Sequence, residues 1–203
     1  MVAESREAAT SARQEAILSA ALRLFNRQGF AATSIDDIRR ASGASVGSIY
    51  HHFGRKEDVA AELYLRALSD YQARVLERVR ANPPARLGIE WLVENHLEWV
   101  AAHPEEARFL LAMRSAEVLL TSKKRIRTMN RMFFREVFGW LEAQAAAGHI
   151  RTVPRQLYFP LVIGPSQELS REWLEGRTDS PLEDAAPLLA DAAWNSIREG
   201  GRR

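Results

Sequence analysis

The chain has no cysteine among its 203 residues. That excludes disulfides, thiol nucleophiles and cysteine-ligated metals together, so the sequence owes nothing to an oxidising compartment. An excess of one charge is missing too: the net charge is +2, and residues 1–60 hold eight Lys or Arg against seven Asp or Glu. Bulk attraction to a polyanion is therefore weak, and affinity for nucleic acid must come from placed contacts and from pairing of subunits. No apolar run reaches the length of a membrane span. The first residues, MVAESREAATSAR, lack the apolar core of a signal peptide, and residues 1–11 are expected as a mobile arm. A cytoplasmic protein with no membrane partner is the simple expectation. Strand patterns and Gly/Ser tethers are absent, as are HExxH, GxSxG, repeated ExxH pairs and a glycine-rich phosphate loop. Glu90 with Glu94, or His96 with His103, share a helix face and could serve a metal or acid–base chemistry. Helix-face carboxylates are far more often solvated, and no catalytic residue, metal or cofactor is assigned.

What the sequence does contain is most legible from Thr33 to Lys56, TSIDDIRRASGASVGSIYHHFGRK. Ser34 can cap a helix, with Asp37 as its capping-box partner three residues on. Ile35, Ile38 and Ala41 form that helix's inward face, and Gly43 supplies the positive φ that turns the chain. Ser45 then caps a second helix, in which Val46, Ile49 and Phe53 recur at three and four. The face opposite holds Gly47, Ser48, Tyr50, His51 and His52, with no carboxylate among them. Such a helix suits the major groove: small residues let the backbone approach, while Tyr50, His52 and Lys56 offer donors to phosphates. Base readout falls to Ser45, Val46, Ser48 and His51. Taken singly, a Tyr or His here is a polar edge tucked against the core; the ordered set of cap, turn, small residues and aromatics points to double-stranded DNA.

The stretch TSIDDIRRASGASVGSIYHHFGRKED closely resembles the N-terminal module of the TetR family of bacterial transcriptional repressors. AILSAALRLFNRQGF, residues 16–30, resembles the family's first helix, and the likeness in motif covers roughly residues 13–73. By position, the resemblance implies phosphate contacts from Ser34, Tyr50, His52 and Lys56, and base-proximal contacts from Val46, Gly47, Ser48 and His51. Gly47 departs from the pattern, since it brings no side chain and leaves its base preference unreadable. The resemblance also implies an all-α protein of about nine helices. The DNA-binding domain would span 12–73, with the helix-turn-helix proper at 35–53 and a long fourth helix joining it to a body at 74–203. That body would bind an effector and dimerise.

Beyond Lys56 a helical period runs almost throughout, broken at Asn82-Pro83-Pro84, His103-Pro104, Gly148 to Pro154 and Gly176 to Pro181. The spacing predicts helices over about 56–80, 87–102, 105–119, 122–147, 155–174 and 182–198. Pro160, Gly164 and Pro165 should bend the fifth of these. The helix from Lys56 reads as a lever or as a plain core helix, and both readings are compatible. Trp91, His96, Trp99, Phe109, Met113, Phe133 and Trp140 are the candidate walls of an effector pocket for a largely apolar small molecule. The bland reading of the same aromatic stripe is core, and His96 fits either. Small residues interleaved with Leu in the last helix suit a dimer interface, and a reader of half a palindrome needs a second copy. The expected function is a homodimeric repressor released from its operator by a small ligand. The alternatives are a helical protein-binding adaptor or a helical-bundle enzyme.

Overall fold

Ser34, Asp37, Gly43 and Ser45 act where the spacing places them. The computed structural model describes residues 2–113 and 122–200, which form ten helices and no strand. They are α1 Val2–Gln28, α2 Ile35–Ser42, α3 Val46–Phe53, α4 Lys56–Arg80, α5 Ala85–Ala102, α6 Pro104–Met113, α7 Lys123–Ala146, α8 Arg155–Val162, α9 Gly164–Leu174 and α10 Leu182–Ile197. The tenth arises because the segment predicted as one helix over 155–174 breaks at Ile163. Pro160 and Pro165 each lack the amide proton that a straight helix would use there. α1 starts at Val2, upstream of the expected first helix, so the backbone of the expected arm is helical. Its Ala, Glu, Gln and Arg residues are good helix formers with no breaker among them. The end of the helix expected over 105–119 lies outside the described residues.

The chain divides into two compact units, Met1–Ala67 with Glu105–Lys124, and Leu68–Pro104 with Arg125–Arg203. In the first, α1 buries Ile17, Leu18, Ala21, Leu24 and Phe25, which recur at helical spacing. The Phe25 ring stacks on Phe109 of α6 with centroids 5.8 Å apart, and Asn26 Nδ2 donates to the Glu105 carbonyl at 2.9 Å. α6 therefore packs with the N-terminal unit, although it lies inside the 74–203 stretch expected as body.

In the second unit α5 is the central helix. α10 packs along it, α9 and α8 add further contacts, and its buried face runs through Ile89, Leu92, Val93, Leu97 and Val100. Two ties hold α7 to α4: a two-point Arg80–Glu136 ion pair at 2.6 and 2.8 Å, and Gln72 Nε2 donating to Asn130 Oδ1 at 2.8 Å. The Trp140 indole of α7 packs against Gly88 of α5. A Cβ at position 88 would stand 2.3 Å from the indole, so only glycine permits that contact.

Candidate nucleic-acid interface and effector cleft

The N-terminus of α2 is fixed by a complete capping box. Ser34 Oγ accepts from the Asp37 amide at 3.1 Å, and Asp37 Oδ2 accepts from the Ser34 amide at 2.9 Å and from its hydroxyl at 2.6 Å. The Ser34 hydroxyl, then its amide, then Arg40 hold the Asp37 carboxyl down at about 2. Both donors of Ser34 are thus engaged inside the module, which leaves its proposed phosphate contact without a free proton. Arg39 and Arg40 pair with Asp36 and Asp37 at 2.7 and 2.5 Å, so the cations of α2 are largely neutralised in place.

Gly43, at φ +69°, ends α2 in the left-handed region and its amide donates to the Arg39 carbonyl at 3.0 Å. The turn swings the chain so that Ala44 is buried, whereas Ala41, expected inward, is exposed. Ser45 Oγ accepts from the Ser48 amide at 3.1 Å and starts α3. Ile49 and Phe53 face the core as expected. Val46 does not: it is 42% exposed and stands on the outer face with Gly47, Tyr50 and His51, where Tyr50 is 51% exposed. Its removal from the core is consistent with the base-contact role also given to it. Ser48 and His52 are half-buried, and the His51 and His52 rings meet edge to face at 5.4 Å.

Lys56 opens α4 differently from its expected role. Its Nζ donates to the carbonyls of Phe30 at 2.8 Å and Thr33 at 2.6 Å, and sits 4.3 Å from the centroid of the Phe30 ring. Two of three ammonium donors therefore brace the loop that leads into α2. The face these residues leave outward is small, aromatic and free of carboxylates.

The seven expected pocket residues fall in both units. Phe109 and Met113 are buried in the first unit, the others belong to the second. Of these, Trp91 and Trp140 line a narrow cleft. Val75, Arg78 and Val79 of α4, together with Leu92 and Asn95 of α5, complete most of its wall. Trp140 Nε1 donates to the Pro83 carbonyl at 3.4 Å, and the Arg78 guanidinium lies 5.5 Å from the Trp91 ring centroid. His96 is elsewhere: its two ring nitrogens lie 3.3 Å from the Tyr71 hydroxyl and 3.3 Å from the Ser170 hydroxyl. A neutral imidazole satisfies both by donating at one and accepting at the other. Burial pushes its pKa down to about 4 and pushes the Tyr71 phenol up. Trp99 Nε1 donates to Asp70 at 2.7 Å, and Phe133 is buried in the core. Asn95 was missed by the sequence, although it follows Gly88 and Leu92 and precedes Trp99 at spacings of four, three and four along one stripe.

Among the described residues no group of His, Asp and Glu could hold a metal ion, and no helix is long and apolar enough to cross a membrane. The profile for "Bacterial regulatory proteins, tetR family" matches residues 17–63. The chain is 32% identical over 192 residues to the HTH-type transcriptional repressor KstR2 of Rhodococcus jostii (strain RHA1), covering 93% of this chain and 79% of that protein. A shorter match, 41% over 64 residues, reaches the HTH-type transcriptional regulator AcrR of Shigella flexneri, covering 32% of this chain and 29% of the relative. Among solved structures, a TetR family regulator from Marinobacter aquaeolei VT8 superposes with a TM-score of 0.80 at 19% identity over 97% of this chain and all of that one, 100%. FadR from Bacillus subtilis, solved in complex with stearoyl-CoA, gives 0.76 at 18% identity, covering 91% and 99%. With a capped helix-turn-helix on a wholly helical frame and a relative alike along nearly its whole length, the chain belongs to the TetR family of bacterial transcriptional regulators.

Proposed function

We propose that the chain is a cytoplasmic, homodimeric repressor that inserts α3 into the major groove of a palindromic operator and leaves it when a small, largely apolar molecule enters the second unit. The observation that carries this reading is the outer face of α3, where Val46, Gly47, Tyr50 and His51 are exposed with no carboxylate beside them. Serine caps and a left-handed glycine present that face rigidly, and a rigid recognition helix is what base readout needs. Ser45, Val46, Ser48 and His51 are assigned to bases, and Tyr50 and His52 to phosphates. Since α2 has spent its arginines on Asp36 and Asp37, affinity depends on two modules acting at once.

The second module comes from a second copy. α10 exposes Leu188 at 75%, with Ala192 also outward on the same helix, and this small-and-Leu ladder is assigned to the dimer seam. The names of the relatives support repression, and FadR, solved with stearoyl-CoA, supports an effector bound in the helical body. The test is selection of genomic fragments on the full-length protein, followed by footprinting. An inverted repeat with half-sites about 34–36 Å apart, or a multiple of it, is expected. Protection of a single half-site, or no selection at all, would sink the reading.

A further inference from the structure

Val46 is 42% exposed, although its spacing to Ile49 is that of a core stripe. Among the described residues of the first unit, the large exposed hydrophobics are Val46 and Tyr50, four residues apart and so on one face of α3. Neither packing nor helix propensity explains a valine there. A β-branched side chain is stiff at χ1 and a poorer helix former than the polar residues that water would solvate. The next residue is equally unexplained from within the chain. A Cβ at Gly47 would meet nothing within 4 Å, and Gly47 is not left-handed, unlike Gly43 and Gly54 on either side of α3. A glycine in ordinary helical conformation weakens its helix, and nothing inside the module requires this one.

A partner explains both residues. Valine reaches little beyond its own Cβ, so its methyls touch a base edge only if the backbone beside it comes close, and a bare residue at 47 permits that approach. The isopropyl group neither donates nor accepts. Set against the amino groups of adenine or cytosine, or the acceptors of guanine, it would displace their water and offer no hydrogen bond in its place. The C5-methyl of thymine is the apolar group on the major-groove edges. We infer that Val46 selects a thymine in each half-site by packing its isopropyl group on the C5-methyl, with Gly47 bare so that the backbone comes close enough. The inference rests on the reading of α3 as the operator-reading helix and names one base that it selects.

The test is a methyl scan of the duplex selected on the full-length protein. Each thymine of the half-site is replaced singly by deoxyuridine, which removes the C5-methyl and leaves every donor and acceptor in place. One position per half-site is expected to weaken wild-type binding, about fourfold when one half-site is changed and about fifteenfold when both are, the share of one buried methyl group. Val46→Ser, at a side chain already exposed and checked for fold by circular dichroism, is expected to bind the thymine and deoxyuridine duplexes alike. A selected duplex with no methyl-sensitive thymine overturns the inference without recourse to a variant. Methyl sensitivity that survives in Val46→Ser also overturns it, because the contact then belongs to another residue. Gly47→Ala reads the close approach: its methyl meets nothing in the free chain, so the fold holds, and binding to the thymine duplex is expected to fall about tenfold. Unchanged binding by Gly47→Ala overturns the approach on which the reach of Val46 depends. No selected duplex at all defeats the operator reading itself, before any methyl is scanned, whereas a selected duplex that fails the scan defeats this inference and leaves that reading standing.

Discussion

α3 and α5 both carry polar side chains between apolar ones, and they use them in opposite ways. α3 buries only Ile49 and Phe53 and turns its polar residues outward, whereas α5 buries Asn95 and His96 along with its hydrocarbon face. Outward polar groups on a short, doubly capped helix are free to meet a partner that arrives from solvent. Buried ones satisfy each other, as His96 does with Tyr71 and Ser170, or stand without a protein partner, as Asn95 Nδ2 does. The difference separates polar groups left to solvent from polar groups enclosed by packing.

The contrast breaks most severely if α3 loses its anchor. Ile49 is 1% exposed, and Ile49→Ala should cost about 2–5 kcal/mol through lost burial and a residual cavity. Duplex binding should fall with it, while hydrogen exchange in α5 stays as in wild type. Equal loss of protection in both helices would mean that the two regions do not fold as separate units.

The next effect concerns α5 and is a pH dependence. His96 titrates at about 4 in the folded chain against an ordinary 6.5, because burial penalises its charged form. Between those values the unfolded chain holds a proton that the folded chain lacks, so stability is complete above about pH 6.5 and is lost as pH falls toward 4. The slope is about 1.4 kcal/mol per pH unit. Urea midpoints of wild type and His96→Phe between neutral pH and about pH 5 test this. A slope unchanged by the substitution places the titration elsewhere.

How much of this was legible follows from the distances over which residues act. Ser34 with Asp37, Gly43, and Ser45 with Ser48 all work within four residues, so their roles could be written from spacing alone. The bend at Gly164-Pro165 was legible for the same reason, though not that it would divide one helix into two. Val46 was ambiguous because its spacing to Ile49 fits a core stripe, and only the turn geometry decides that it points out. The stacking of Phe109 on Phe25 joins distant parts of the chain, and no local pattern announces it. Asn95 was invisible for a related reason. It becomes a cleft wall only because α4 supplies Val75 and Val79 and α7 supplies Trp140.

Gly88→Ala sharpens the contrast from the side of the cleft. The added methyl would stand 2.3 Å from the Trp140 indole, so the ring must leave or the helices must part, at about 1–3 kcal/mol. A red-shifted tryptophan emission with lowered stability is expected. An unshifted spectrum would show that α5 and α7 separate with the indole still buried.

The smallest effect is the most discriminating, because it asks what Lys56 is for. Its ammonium holds the Phe30 and Thr33 carbonyls and leaves one donor, so Lys56→Met should lower stability by about 1 kcal/mol through loss of those hydrogen bonds. If bracing is its whole role, duplex affinity falls modestly and the dependence of affinity on salt keeps its slope, since no phosphate loses a neutralising charge. If it also neutralises a phosphate, the slope becomes shallower by about 0.9 per subunit. Tyr50→Phe is the control: it removes a donor without removing charge, so it should weaken binding about three- to tenfold at constant slope. A shallower slope for Lys56→Met beside an unchanged one for Tyr50→Phe would restore the phosphate role that the spacing suggested, with the brace as its scaffold. Equal slopes for wild type and both variants would leave α3 reading its operator through neutral hydrogen bonds, with the salt dependence carried by cations elsewhere in the dimer.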